Sequence, residues 1–268
     1  MAQQRSGADA RTARAALVMA GTKGIGLGCA QALAGAGFAV AVCARTAGDV
    51  DATATLLRAG GAHAHGVVAD VSDGESLAAV FESVDEVFGR LDVLVANAGG
   101  PAPGDFMALG DDDWRAGYEL TLMSSVRAIR HAVPRMRAGG YGRIVVIGSS
   151  SVRQPVSGIA LSNAFRPALA GLVKHLAGEL APDGITINMV SPGRIDTDRV
   201  RDLDERAARR DGTSYERSRR SAEAGIPMGR YGSISEIGAL VAFLASEQAS
   251  YITGQTPLVD GGLVPTLP

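Results

Sequence analysis

The sequence predicts an α/β fold: a single doubly wound, Rossmann-type parallel sheet with helices on both faces. Three observations carry this. Short strand-like runs such as "AALVM" and "VVIG" are apolar throughout, as strands covered on both faces must be. They alternate with helix-patterned stretches, which specifies parallel strands joined by right-handed crossovers. A glycine-rich turn joins the first strand to the first helix.

The elements follow in order. "AALVMAG" is a strand that leads into "GTKGIGLGCAQALAGAG", helix-patterned up to Gly35 and Gly37. "FAVAVCAR" is the second strand and "HAHGVVADV" the third, with a helix over 48–59 between them. "ESLAAVFESVDEVFG" has apolar residues at helical spacing, and "LDVLVANAGG" is a fourth strand ending in glycines. One helix is expected over 112–137, then strand "GRIVVIGSS", a helix over 158–181 and strand "ITINMVSPG". A helix over 234–246 and the strand "TPLVDGG" close the chain. Residues 198–223 break the alternation with eight arginines and seven acids, net about +1. They are read as helical excursions above the sheet, either a surface insertion or a substrate lid.

Composition sets limits on function. The 268 residues are 46% hydrophobic, enough for one sizeable core over 15–268, and no composition break marks a second domain. Residues 1–14, small, polar and arginine-rich, read as a disordered tail. Lys+Arg of 26 against Asp+Glu of 28 leaves a net charge of -2, which favours neither nucleic acid nor an anionic membrane as partner. Cys29 and Cys43 form no C-x-x-C pair, and no apolar run approaches the ~20 residues of a membrane span. A cytoplasmic protein with a small-molecule substrate is expected. His63, His65, His131 and His175 do not make a metal-ligand pattern.

The turn "VMAGTKGIG" sits where a phosphate cradle belongs. Gly24 and Gly26, flanking Ile25, let backbone amides approach a pyrophosphate, and the helix N-terminus adds partial positive charge. After the second strand the chain reads "VCART", with Arg45 where an NAD-preferring site carries an acid. Arg45 and Lys23, two cations without a carboxylate, suit the 2′-phosphate of NADP(H), preferred over NAD(H). A ligand-free turn and a solvated Arg45 are the structural alternatives.

These residues resemble the short-chain dehydrogenase/reductase family, whose loop reads T-G-x-x-x-G-I-G. Met19 and Ala20 replace its Thr and first Gly, and Gly21 is expected to keep the turn flexible. The resemblance spans 15–262. Asp70, with Val71 in "VADV", is similar to the residue that binds adenine; Asn97, Ala98 and Gly99 match the end of N-N-A-G. Pro192, Gly193, Ile195 and Thr197 fit P-G-x-I-x-T, where the Thr contacts the nicotinamide amide, and "YITGQTPLVDGG" follows the terminal signature. The resemblance implies a homodimer or homotetramer.

The family's Ser, Tyr, Lys and Asn positions fall on Ser149, Ser162, Arg166 and Thr121, so only the serine is retained. Ser162 and Arg166, four apart, lie on one helical face. A phenol of pKa near ~10 can be drawn toward neutrality by a lysine, whereas a serine hydroxyl is a far weaker acid and Arg stays protonated. No tyrosine has Lys four residues later; Tyr215 has Arg219, and would reach the site only if the charged insertion folds over it. The pattern Ser-Asn-x-x-Arg after "SSVRQP" resembles a divergent, 3-oxoacyl-carrier-protein-reductase-like branch. It implies an NADP(H)-dependent oxidoreductase acting on a carbonyl or alcohol. Ser149 and Ser162 would then hold the reacting oxygen, Arg166 the ribose, and a water or substrate group would supply the proton. A non-redox dehydratase, isomerase or cyclase and a catalytically silent nucleotide-binding protein are the alternatives.

Overall fold

The computed structural model describes residues 13–266. Seven parallel strands form one sheet in the order β3-β2-β1-β4-β5-β6-β7. They are β1 (Ala15–Met19), β2 (Ala39–Ala44), β3 (Ala64–Val68), β4 (Val93–Ala96), β5 (Gly142–Ile147), β6 (Ile185–Pro192) and β7 (Leu258–Val259). Most of the expected tail lies outside the described residues. Arg14, assigned to that tail, is instead part of the fold: its carbonyl accepts from Ala39 N at 2.9 Å, and its guanidinium lies 3.7 Å over the Tyr141 ring. The last strand is cut to two residues that pair with Ser191 and Pro192.

Alternation along β1 explains why its sequence is unbroken apolar. Leu17 and Met19 face a core shared with Leu77, Phe81, Ile129, Met136, Leu169 and Val173. Ala16 and Val18 face a second core with Cys29, Leu33, Ile237 and Val241. The first core is covered by α3 (Gly74–Phe88), α5 (Ser124–Gly139) and α6 (Ala160–Leu180), the second by α1 (Gly24–Gly35), α2 (Ala47–Ala59) and α9 (Ile234–Leu244). Both cysteines are buried, and burial pushes each thiol up to about 12.

Local chemistry sets the helix ends. Asp73 accepts from Ser76 N at 2.7 Å to start α3, which stops at Gly89 in the left-handed region, φ 68. Ser233 and Glu236 form a reciprocal capping box at the start of α9. The helix expected over 112–137 is present as one continuous helical run, interrupted by a π turn. Between α4 (Asp111–Tyr118) and α5, residues Glu119–Met123 wind into a π turn. There the Ser124 hydroxyl donates to Leu120 O and the Ser125 hydroxyl to Thr121 O at 3.4 Å, bonds that compete with the regular ladder.

The charged stretch forms α7 (Asp198–Arg210) and α8 (Tyr215–Ala224). Buried Asp204 accepts from Arg194 and, at 2.7 Å, from the Tyr231 hydroxyl. Arg219 grips Asp196 with two bonds of 3.0 and 3.1 Å, which ties α8 to the segment after β6. The order of strands reverses between β1 and β4, which places the crevice for a ligand at their carboxyl ends.

Helices α1 and α9 touch backbone to backbone. A Cβ on Gly28 would stand 2.4 Å from Ile234 O, and one on Gly238 2.4 Å from Gly28 O. Gly28→Ala is therefore expected to destabilise the fold by about 1–3 kcal/mol. Gly171→Ala, in α6 with nothing within 4 Å of the added methyl, should instead stabilise it by roughly 0.5–1 kcal/mol. Urea unfolding of the two variants checks the opposite signs.

Candidate cofactor-binding and active site

The glycine turn leaves β1 through Ala20, a non-glycine residue in the left-handed region at φ 45. Such a conformation costs roughly 1–2 kcal/mol, so it is held by its surroundings. Asn97, at the end of β4, supplies the hold: its Nδ2 donates to Met19 O at 3.2 Å and Ala20 O at 3.3 Å. Gly21, expected to keep the turn flexible, has a steric reason to be glycine. Gly21 is not in the left-handed region; it is glycine because a Cβ would meet Val18 O at 2.8 Å and Val42 at 2.9 Å. Its N–H donates to Cys43 O.

Gly26 packs against the same point, since a Cβ there would lie 2.1 Å from Ala20 O and 2.9 Å from the Asn97 amide. Gly24 has φ 50, and Thr197 lies 3.3 Å from where its Cβ would be. No side chain caps α1 at Lys23, so the first-turn amides of Gly24, Ile25 and Gly26 are left for a ligand. A pyrophosphate fits this donor set, which has amides, a dipole and no side chain in the way.

The cation pair beside it is more complicated than the sequence implied. Lys23 is bound to Asp49 at 2.8 Å, so a carboxylate is present where none was expected. Asp49 comes from the first turn of α2, and only the fold brings it to the glycine turn. Arg45 is exposed after β2 and is close enough to help lower the Asp70 pKa. The larger causes are the Ser72 hydroxyl and amide, which donate to Asp70 at 2.7 and 2.9 Å and hold its carboxyl below the usual range. Val71 is buried beside it. Ala98 packs on the first core and Gly99 is exposed. Pro192 ends β6; Gly193 N bonds Val259 O, and its missing Cβ makes room for Asp260. Ile195 is buried, and Thr197 caps α7 by accepting from Val200 N.

The structure brings Ser162 and Arg166 together on the buried side of α6, each 8% exposed. Ser151, which the sequence did not single out, joins them, with its Oγ 3.5 Å from the Ser162 Oγ. Ser149 accepts from Ser151 N at 3.1 Å, which leaves its own O–H free to donate. Thr121 is buried in the π turn, and its hydroxyl has no partner among the described residues. Arg166 donates to Ile147 O at the end of β5, while its buried Nε has no partner. Burial, and secondarily the charge of Arg199, pull its pKa down to about 10, so it stays protonated at neutral pH. Tyr215 is not in this group; its hydroxyl accepts from Arg219, which is committed to Asp196 and Glu223.

A family profile described as enoyl-(acyl carrier protein) reductase matches residues 19–264. The 3-oxoacyl-(acyl-carrier-protein) reductase FabG of Escherichia coli is 36% identical over 250 residues, 92% of this chain and 96% of its own. The chain belongs to the short-chain dehydrogenase/reductase family. The NADPH-dependent reductase BacG of Bacillus subtilis is 34% identical over 251 residues, 93% of this chain and 97% of its own. Among solved structures, a variant of the actinorhodin polyketide ketoreductase with NADPH superposes with TM-score 0.92 at 34% identity, covering 96% of this chain and 99% of that one.

In this short-chain dehydrogenase/reductase the Asn of Ser-Asn-x-x-Arg has a position that the motif alone did not explain. Asn163 clasps the backbone of Val156, donating to its carbonyl at 2.8 Å and accepting from its N–H at 3.1 Å. It pins the segment that runs from Ser151 to α6. Asn163→Ala should cost about 1–3 kcal/mol by leaving both backbone groups unpaired. Urea unfolding reads the loss, and faster tryptic cleavage at Arg153 would locate it.

Proposed function

We propose that the protein is an NADP(H)-dependent oxidoreductase that reduces a ketone, with Ser149 and Ser162 positioning the reacting oxygen. The observation that carries this is the buried hydroxyl pair of Ser151 and Ser162 with a protonated guanidinium on the same helix face, at the carboxyl edge of the sheet from which the glycine turn also leaves. NADPH-dependent relatives of this length and similarity support the cofactor. When bound, NADPH supplies the hydride that becomes the new C–H bond of the alcohol.

The side chains divide the remaining work. Gly24, Ile25 and Gly26 would hold the pyrophosphate through their amides, Asp70 the adenine side, and Thr197 the nicotinamide side. Arg45 would meet the 2′-phosphate as a planar, permanently charged donor. Lys23 contributes less directly, because Asp49 already neutralises it. Ser149 and Ser162 donate to the carbonyl oxygen, and these bonds strengthen as negative charge develops there. Arg166 holds the ribose and supplies a fixed positive charge.

The Ser and Arg positions change how the proton arrives. A family tyrosine would deliver it directly, whereas the Ser162 hydroxyl is too weak an acid and Arg166 does not release its proton at neutral pH. The proton reaching the product oxygen comes from a water or from a group on the substrate. Ser149, Ser151 and Ser162 orient that donor.

Loss of NADPH absorbance with a panel of ketones, 3-oxoacyl thioesters included, tests the reading. Ser149→Ala and Ser162→Ala should each lower kcat/KM by about 10–100-fold, the worth of one donor to a developing charge. Product formation without cofactor turnover would overturn the redox assignment. Arg45→Asp should raise the KM for NADPH more than that for NADH, and an equal effect on both would remove the phosphate contact.

A further inference from the structure

The arginines of the charged insertion differ in one respect. Arg209 and Arg210 pair with Glu205 and Asp211 on the surface, and Arg219 binds Asp196 and Glu223. Arg194, just before the insertion, holds Asp204. Arg201, Arg206, Arg217 and Arg220 also have no carboxylate in ion-pair contact among the described residues, but they are exposed, whereas Arg199, in the first turn of α7, is half-buried without one. Its Nη2 donates to Pro101 O at 2.7 Å. Its Nε, Cζ and Nη2 all lie 2.7–2.9 Å from where a Cβ on Gly100 would stand, so the guanidinium is laid against that backbone. Gly100 carries no side chain that would compete for the space.

This cation faces others. Burial first, and then the charge of Arg206, lower the Arg199 pKa, with Asp202 the acid that opposes them; the charge of Arg199 in turn adds to the effect of burial on Arg166. Arg166 is buried and Arg199 half-buried, with no shared carboxylate among the described residues; like charges so placed repel one another, and an anion bound at Arg199 relieves the cost. Phosphates of the nucleotide have their own donors at Gly24–Gly26 and Arg45. Arg199 instead lies against Gly100 and Pro101 in the loop after β4, at the carboxyl end of the sheet where Arg166 also bonds Ile147 O.

We propose that Arg199 receives a carboxylate of the substrate, which makes the ketone an oxo acid. Its planar fork matches a carboxylate in a way that a neutral ester cannot use. The inference rests on the oxidoreductase reading above and names the substrate class for it. It also gives the insertion a direct part in specificity, since Arg199 is a binding residue supplied by α7.

Calorimetric titration tests it, using protein saturated with NADP+ and a set of 2-oxo and 3-oxo acids, each beside its methyl ester. At least one acid should bind more tightly than its ester, by roughly tenfold or more, the worth of a charge-assisted pair. Arg199→Gln should erase that difference and leave the Kd for NADP+ within about twofold; Arg199→Lys should restore part of it. Thermal melts of both variants show that they are folded. Acids and esters binding equally, or no acid binding to the native protein, would overturn the proposal. So would Arg199→Gln weakening NADP+ as much as the acid, which would assign the guanidinium to a cofactor phosphate. Failure of NADP+ itself to bind sinks the cofactor reading separately, because the acid titration is then run on the nucleotide-free protein and still reports on Arg199.

Discussion

The carbonyl of Ala20 is the point on which the site turns. Asn97 reaches across from β4 to bond it, and Gly26 comes so close that only a missing side chain allows the contact. Together they force Ala20 into a left-handed conformation that an alanine adopts only under compulsion. This locks the ends of β1 and β4 to the first turn of α1 at the place where the strand order reverses. The amides of the turn are positioned from that junction, with Thr197 packed on Gly24 beside it, while Asp70 beyond β3 is held separately by Ser72. A loop held this tightly binds a ligand without first having to be ordered.

A second constraint comes from uncompensated charge. Arg166 is buried with one bond to Ile147 O and an Nε unpartnered among the described residues, and Arg199 rests on Pro101 O with no carboxylate in ion-pair contact among them. Burying a cation without an acid works against stability, so the fold carries this cost where a ligand bearing negative charge would offset it. The nearby ion pairs have the reverse character. Arg194 with Asp204 and Arg219 with Asp196 consume their charges in holding α7 and α8 to the segment after β6. The same stretch of sequence therefore contains an arginine committed to structural ion pairs, Arg219, and a half-buried one, Arg199, without a carboxylate in ion-pair contact among the described residues.

The hydroxyl cluster ties these constraints together. Ser151 meets Ser162, Ser149 caps the turn that contains Ser151, and Asn163 fastens the intervening segment at Val156. The π turn carrying Thr121 places another buried hydroxyl in a helix that would otherwise run straight through. Several weakly acidic donors, held rigidly near a fixed positive charge, can stabilise a developing oxyanion although none of them is a strong proton source.

By itself the sequence determined the sheet, its parallel character, the glycine turn and the candidate positions Ser149, Ser162 and Arg166. Those features are local: apolar runs, helical spacing and glycines within a few residues of each other register in any short window. Tertiary structure decided what depends on distant segments meeting. Asp49 reaching Lys23, Ser151 joining Ser162, Arg199 lying on Gly100 and Asn97 gripping Ala20 all join parts of the chain whose proximity no periodicity encodes. The π turn escaped for a related reason, because the serine hydroxyls after it redirect the helix ladder without changing the hydrophobic pattern. Side-chain roles at the site were legible only as residue types; the partners that give each residue its charge state and direction come from packing.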